Sequence, residues 1–436
     1  MINMLNVNVY KLKEMTEEKK AFIMKRAELD ISEQMVLAKE VSDDIRRRGD
    51  EAVLEYTAKF DRVELTQDKI KVRPQEIEAG YKNVDKETLE AIEYAAKNIK
   101  NFHEKQMPEE MWFTEVDKGL LVGEKTTPIV DVCLYVPRGK GSFPSVMLML
   151  GVPAYVAGVK KIVVVTPPNE KGEIDDAILV AADLIGIKEI YKVGGIQAVA
   201  SVAFGTETVP KCHKIIGPGN SYATAAKRVL ANYIDAGLPA GPSEAIILCD
   251  ENADPHKAAL DWMIEAEHGP DSASLLVTNS KELADKVIPI VEKQLEKLSE
   301  KRRSFITTNF NTYGGIVITD TLDEAIDFVN EYAPEHMEIL CDKPFDILPR
   351  IDNAGEILLG EWTPITLCNF LMGPNAILPT GQFAKTYSSV SVNDFLKRSS
   401  IGYVTKEGFL NVKDKAGIIA HVEGFETHEL AVKERI

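Results

Sequence analysis

Cysteine is scarce in this sequence, and what there is has no order. The five cysteines, Cys133, Cys212, Cys249, Cys341 and Cys368, show no Cys-x-x-Cys spacing, which argues against a disulfide framework and against a structural zinc knuckle. They are expected to be reduced and mostly buried. Apolar runs long enough to span a bilayer are missing too, and Met1 to Lys20 holds no signal-peptide core, so a cytoplasmic location is expected. Positive charge is in deficit: 51 Lys and Arg against 68 Asp and Glu leave a net charge of −17. Nucleic acid and anionic membrane, which demand a basic face, are thereby disfavoured as partners. There is no repeat at a solenoid period, no low-complexity stretch and no G-x-G-x-x-G fingerprint.

What is present is a soluble-protein balance, 45% apolar and 27% charged residues, over 436 positions. That length exceeds one ordinary core, so two or more domains are expected. Residues 1 to about 30 read as polar and helical, 33–59 as one helix, 69–72 as a short strand and 85–106 as a long amphipathic helix. From Pro128 the texture becomes strand and helix in alternation: strands at 129–136, 161–166, 189–193 and 214–216, then again at 245–249, 273–278 and 315–318, each followed by a helical stretch. Such alternation predicts a parallel, doubly wound α/β architecture. Beyond Trp362 it is lost; a helix is expected to start at 392–397 and another to run over 413–436.

In doubly wound sheets ligands sit beyond the carboxyl ends of the strands. Three glycine loops qualify here, Pro137 to Gly141, Gly194-Gly195, and Gly217 to Asn220, although each is also readable as a plain tight turn. Elsewhere, Met263 to Asp271 reads as the last turn of a helix stopped by Gly269-Pro270, with Glu265 and His268 three residues apart on one face. A carboxylate and an imidazole so placed close on one divalent cation, or form a solvated pair. Ser243, in the rigid loop Pro239 to Glu244, either meets a ligand or caps local backbone. Glu335-His336, after a proline-fixed turn and just before a strand, are a candidate acid-base pair.

Ordered motifs running nearly end to end carry a resemblance: Arg47-Arg48-Gly49-Asp50, Phe60-Asp61, Tyr135-Val136-Pro137, Val193-Gly194-Gly195-Ile196-Gln197-Ala198, Gly217-Pro218-Gly219-Asn220, Ala240-Gly241-Pro242-Ser243-Glu244, Ala266-Glu267-His268-Gly269-Pro270-Asp271-Ser272, Ala333-Pro334-Glu335-His336, Leu378-Pro379-Thr380 and Glu423-Gly424-Phe425 with His428. The chain resembles histidinol dehydrogenases. The resemblance implies an intertwined homodimer of two incomplete Rossmann-like domains, with a small N-terminal piece (1–30), a first domain (31–134 and 242–390), an NAD-binding domain (135–241) and a C-terminal helical piece (391–436) that completes the partner's site. It implies one zinc per subunit and two uses of NAD, taking a primary alcohol, L-histidinol, through an aldehyde to a carboxylate. Tyr135, Gln197 and Asn220 would contact NAD, and Glu335 and His336 would be the acid-base pair. Ser243, Glu265, His268, His336, Asn369, Glu423 and His428 would meet substrate, the two at 423 and 428 from the other subunit. Zinc would be held by Glu265, His268, Asn369 and His428.

Three departures from the family pattern fall on that shell. Glu265 stands for a glutamine and Asn369 for an aspartate, a reciprocal exchange that keeps one carboxylate beside the imidazoles. Ala376 stands where a histidine is usual. Arg138, with Lys140 close by, occupies a loop that is normally uncharged, placing cations where a pyrophosphate or an anionic substrate group would lie. They open the alternative of a paralogue acting on another small polar alcohol, such as a dihydroxypropanesulfonate-type diol. A third possibility is an inactive binding protein.

Overall fold

The computed structural model describes residues 6–26, 31–138 and 141–435; Lys140 lies outside them. The strands in chain order are β1 (Val9–Lys11), β2 (Met111–Asp117), β3 (Leu120–Pro128), β4 (Asp131–Tyr135), β5 (Lys161–Val165), β6 (Glu189–Tyr191) and β7 (Ile215–Ile216). They continue with β8 (Glu244–Cys249), β9 (Ala273–Thr278), β10 (Gly315–Ile318), β11 (His336–Leu340), β12 (Glu356–Leu359) and β13 (Leu396–Val404).

Two sheets are parallel throughout. One runs β6-β5-β4-β7; the other runs β1-β10-β9-β8-β11-β12. From its first internal strand each winds outward by two strands, then reverses to the other side, which is Rossmann-type order. The alternation of each strand feeds two cores. Val132 and Leu134 of β4 pack on one face of their sheet, Cys133 and Tyr135 on the other. In β8, Ala245, Ile247 and Cys249 face one core, and Ile246 and Leu248 the other. Sheets buried on both faces have the continuous apolar strands that the sequence displays.

The packing corrects the division between domains. Strand β4 pairs with β5 and β7, and helices Ser32–Arg48 and Asp50–Phe60 supply Val41, Ile45 and Val53 to the same sheet's core. Helix Lys86–Lys105 covers its opposite face through Ile92 and Ile99. The helices of 31–105 and strand β4 therefore build on the four-stranded sheet rather than on the one containing β8 to β12. Ile377, Val390, Val392 and Phe395 cross back to it as well.

Local expectations also shift. The single helix over 33–59 is two, broken at Gly49 with φ +58. The N-terminal piece contributes β1 to the edge of the six-stranded sheet besides its helix Glu17–Lys25. At 69–72 there is only an isolated bridge, Lys71 to Tyr191. The helix expected from 392 is a short 3-10 turn, Val392–Phe395, leading into β13. Strand β13 joins β3 and β2 in a three-stranded antiparallel sheet that the sequence reading missed. The last segment is helical as expected, as Lys406–Val422 and Glu426–Lys433 with Gly424 between them.

Candidate active site

A cleft of about 1630 Å³ lies where the carboxyl end of the four-stranded sheet meets the amino end of the six-stranded one. Its lining includes Tyr135, Gln197 and Asn220 from one side and Ser243, Glu265, His268, Glu335, His336 and Asn369 from the other. The first sheet obeys the carboxyl-end rule: the loops after β4 and β7 flank the point where strand order reverses. The second does not. Its contributions precede β8 (Ser243) and β11 (Glu335), open β11 (His336), or sit on the returning helix Pro255–Ala266 and just beyond it.

That helix is fixed firmly. Asp254 caps it by accepting the amides of His256 and Lys257, with Pro255 in the first turn. Trp262 stacks on Phe310 at 3.8 Å and donates Nε1–H to the Ser274 carbonyl. The last turn tightens, the amide of His268 reaching the Glu265 carbonyl at 3.2 Å, so both side chains face the cleft. Glu265 is fully buried. Its Oε1 accepts from Asn369 Nδ2 at 3.0 Å, and its Oε2 pairs with His268 Nδ1 at 2.9 Å. Ser243 Oγ shares that imidazole nitrogen at 2.9 Å. Burial opposes ionisation of Glu265, but His268 and His336 outweigh it and hold the carboxyl down at about 2. In return Glu265 raises His268.

Glu335 and His336 follow an equally constrained turn. Helix Leu322–Tyr332 ends at Ala333 in the left-handed region, φ +51, which for a non-glycine residue costs on the order of 1–3 kcal/mol. Arg26 offsets that strain. It donates to the carbonyls of Tyr332 and Ala333, stacks 3.6 Å above the Tyr332 ring and reaches Glu244 at 3.2 Å. Glu335 Oε2 accepts the amide of Glu244 at 2.8 Å. Burial, reinforced by the carboxylates of Glu265 and Glu244, pushes Glu335 well above the usual carboxylate range. Burial lowers His336, yet the carboxylates of Glu265, Glu356 and Glu335 more than reverse that and push it up to about 10. A cation at Glu265 would cancel the largest of these attractions.

On the other wall, Tyr135 donates no bond outward; its hydroxyl accepts the Gly195 amide at 3.0 Å. Gln197 donates Nε2–H to Asp61 at 2.9 Å, and its buried Oε1 has no partner. Asn220 caps the helix Ser221–Val229 by accepting the amides of Tyr222 and Ala223. Arg138 lines the cleft and donates to the Pro168 carbonyl at 3.2 Å, and Ala376 lines it beside Ile377 and Leu378. Glu423 and His428 are not brought here: they sit exposed on the C-terminal arm, with Phe425 packed against the His428 ring at 5.1 Å.

A sequence model described as histidinol dehydrogenase matches residues 24–436. The chain belongs to the histidinol dehydrogenase family. It is 48% identical to a histidinol dehydrogenase of Synechocystis, over 98% of each chain, and 47% identical to a histidinol dehydrogenase homolog of Colwellia psychrerythraea, over 98% of this chain and 96% of that one. Among solved structures, a histidinol dehydrogenase from Elizabethkingia anophelis superposes with a TM-score of 0.92 at 35% identity, covering 100% of this chain and 98% of the other.

Membership in the histidinol dehydrogenase family implies NAD and zinc. The unpartnered Gln197 Oε1, buried in the first wall, fits a cofactor group there. A fully buried carboxylate 2.9 Å from an imidazole, Glu265 beside His268, is a donor set that fits a divalent cation. It is half of a site: among the described residues no group of three His, Cys, Asp or Glu side chains is arranged to hold a metal. Sequence reading missed Arg26, Glu244, Glu356 and Cys368, which touch Glu335 or His336 directly or through one neighbour. Spacing holds no signal for them, because strand pairing and the fold, not chain proximity, bring them in. Cys368 is absent from the cleft lining, and its thiol, pushed far up by burial and by Glu356, is a neutral donor rather than a nucleophile.

Proposed function

We propose that this cleft carries an NAD-dependent, zinc-assisted oxidation of a primary alcohol through the aldehyde to the carboxylate, with L-histidinol as the first substrate to test. The observation that carries this reading is the shared cleft: Tyr135, Gln197 and Asn220 face the buried Glu335-His336 pair and Glu265-His268 across it.

Glu265, His268 and Asn369 of one chain, with His428 of the partner subunit, would hold the metal. When bound it supplies a Lewis acid that fixes the alcohol and eases its deprotonation. His336 Nε2, facing Glu265 and Glu335 at 3.9 and 3.8 Å, must first give up the proton those carboxylates favour, and then takes the alcohol proton as hydride leaves the carbinol carbon for NAD. Glu335, kept protonated by burial, donates to the carbonyl oxygen that forms. In the second half His336, its first proton released to solvent, takes a proton from the water that attacks the aldehyde, and the hydrate gives up a second hydride to a fresh NAD. Phe143, Met149 and Ile377 give the cleft an apolar stretch of lining.

The dimer is part of the proposal. β2 is exposed along its whole length, with Trp112 and Phe113 outward, and the C-terminal arm exposes Ile418, Ile419, Val422 and Phe425. Apolar surface of that extent marks a partner. Among the described residues no helix is long and apolar enough to cross a membrane.

Ala376 and Arg138 favour a second reading, a different small polar alcohol, since an imidazole is replaced by a methyl group and a cation lines the mouth. NADH formation from L-histidinol against a panel of amino alcohols and sulfonated or carboxylated diols separates the two. Efficient histidinol turnover removes the second reading; efficient turnover of an anionic diol alone removes the first. No NADH from any alcohol by zinc-loaded protein overturns both.

A further inference from the structure

We infer that Glu356 is the positioning residue of the active-site histidine, holding His336 Nδ1 so that Nε2 is the atom presented to the alcohol; this rests on the reading of His336 as the base. Glu356 opens β12 and His336 opens β11, and the two are register partners in the parallel ladder. Side chains of paired residues on neighbouring strands stand side by side on one face. Glu356 Oε1 accordingly meets His336 Nδ1.

The rest of Glu356 is equally committed. Its other oxygen, Oε2, accepts the thiol of buried Cys368, and its backbone amide donates to the Glu335 carbonyl at 3.0 Å. Gly355 makes that approach possible: a Cβ there would lie 2.5 Å from the Glu335 carbonyl oxygen. One short strand thus fixes both members of the acid-base pair, Glu335 through the main chain and His336 through the ring.

The consequence for the ring is specific. A carboxylate accepting from Nδ1–H fixes which nitrogen carries that proton and leaves Nε2 as the only one able to take another. During the reaction the alcohol proton passes to Nε2 while the Nδ1 proton stays on the ring, held toward Glu356 Oε1. The thiol serves Glu356 by satisfying the lone pairs the histidine does not use, in a pocket where an unpaired carboxylate oxygen is expensive.

The test pairs Glu356→Leu, which keeps volume but offers no acceptor, with Glu356→Gln, whose amide oxygen still accepts from Nδ1–H. In zinc-loaded protein with the best alcohol, Glu356→Leu is expected to lower kcat about 100-fold with KM for NAD unchanged. Glu356→Gln is expected to recover most of that loss. The Nδ1–H···carboxylate bond should give a strongly deshielded proton resonance in the unmodified protein, abolished by His336→Gln and by Glu356→Leu. Unchanged kcat in Glu356→Leu overturns the inference, as do equal losses in both variants with the resonance intact. The resonance is read without turnover, so a failure of the base assignment, seen as His336→Gln retaining kcat, stays distinguishable from a failure of the Glu356 contact.

Discussion

Tyr135 closes β4 and His336 opens β11, and both line one cleft. The two parallel sheets therefore approach with opposite ends, the carboxyl edge of one supplying the wall with Tyr135 and the amino edge of the other the wall with Glu335 and His336. Each wall is built from strand ends and from helices or their caps, which suits a reaction needing hydride and proton to leave together.

The metal half-site makes a charge argument testable. Glu265 is the one carboxylate among Glu265, His268 and Asn369, so Glu265→Gln should lower bound zinc well below one per subunit and kcat by at least 10-fold. The double replacement of Glu265→Gln with Asn369→Asp returns a carboxylate to the opposite position and should recover zinc content. Metal analysis of chelator-free protein reads both. Full zinc in the single variant would remove Glu265 from the ligand set.

Asp61, the partner of Gln197, carries a pH signature. Burial raises it to about 6, with the Gln197 bond and Arg138 offsetting only part. The folded state then holds a proton that the unfolded chain gives up near pH 4. Stability contributed by that proton is lost as pH rises from about 4 to about 6, and the full penalty stands above it. Asp61→Asn, which still accepts from Gln197, should raise stability at pH 7 by on the order of 1–2 kcal/mol after allowance for partial exposure, and leave it unchanged below pH 4. Denaturant midpoints at several pH values check this.

Gly355 is a steric prediction. A methyl group there meets the Glu335 carbonyl, so Gly355→Ala should displace the turn and cost about 1–3 kcal/mol, with kcat falling about 10-fold or more. Thermal unfolding and turnover are the readouts; a variant with both unchanged would show that the strand pair has slack.

The arm gives a prediction about assembly. Val422 is 79% exposed in one chain, so in a monomer Val422→Glu would change nothing. In the proposed dimer it should shift the molecule toward monomer in light scattering and remove activity with the partner's His428. An unmodified protein that is monomeric at assay concentration would contradict the shared site.

How much of this was legible in the sequence follows from distance along the chain. The βα units from Asp131 to Ile216 and from Glu244 to Leu340 could be read because each strand and helix states its own period. Glu335-His336 and Glu265-His268 could be read because adjacency or one helical turn already unites them. The antiparallel sheet could not: Leu396 pairs with Pro128, and β2 shows no buried face at all within one chain. Glu356 was invisible for a similar reason, since a one-residue change of register between β11 and β12 would have turned it away from His336. The carboxyl-end rule pointed to the Gly194-Gly195 and Gly217 loops, but it holds for only one of the two sheets, and nothing in the sequence says which end the second presents.

The yield of NADH per alcohol consumed, measured on zinc-loaded protein with and without His336→Gln, tests the central claim most directly. Two NADH per alcohol in the unmodified protein, the carboxylate as product and a rate lowered by about 100-fold or more in the variant are the expected results. One NADH with accumulating aldehyde, or an unimpaired variant, would contradict the assignment of a two-step oxidation to this cleft.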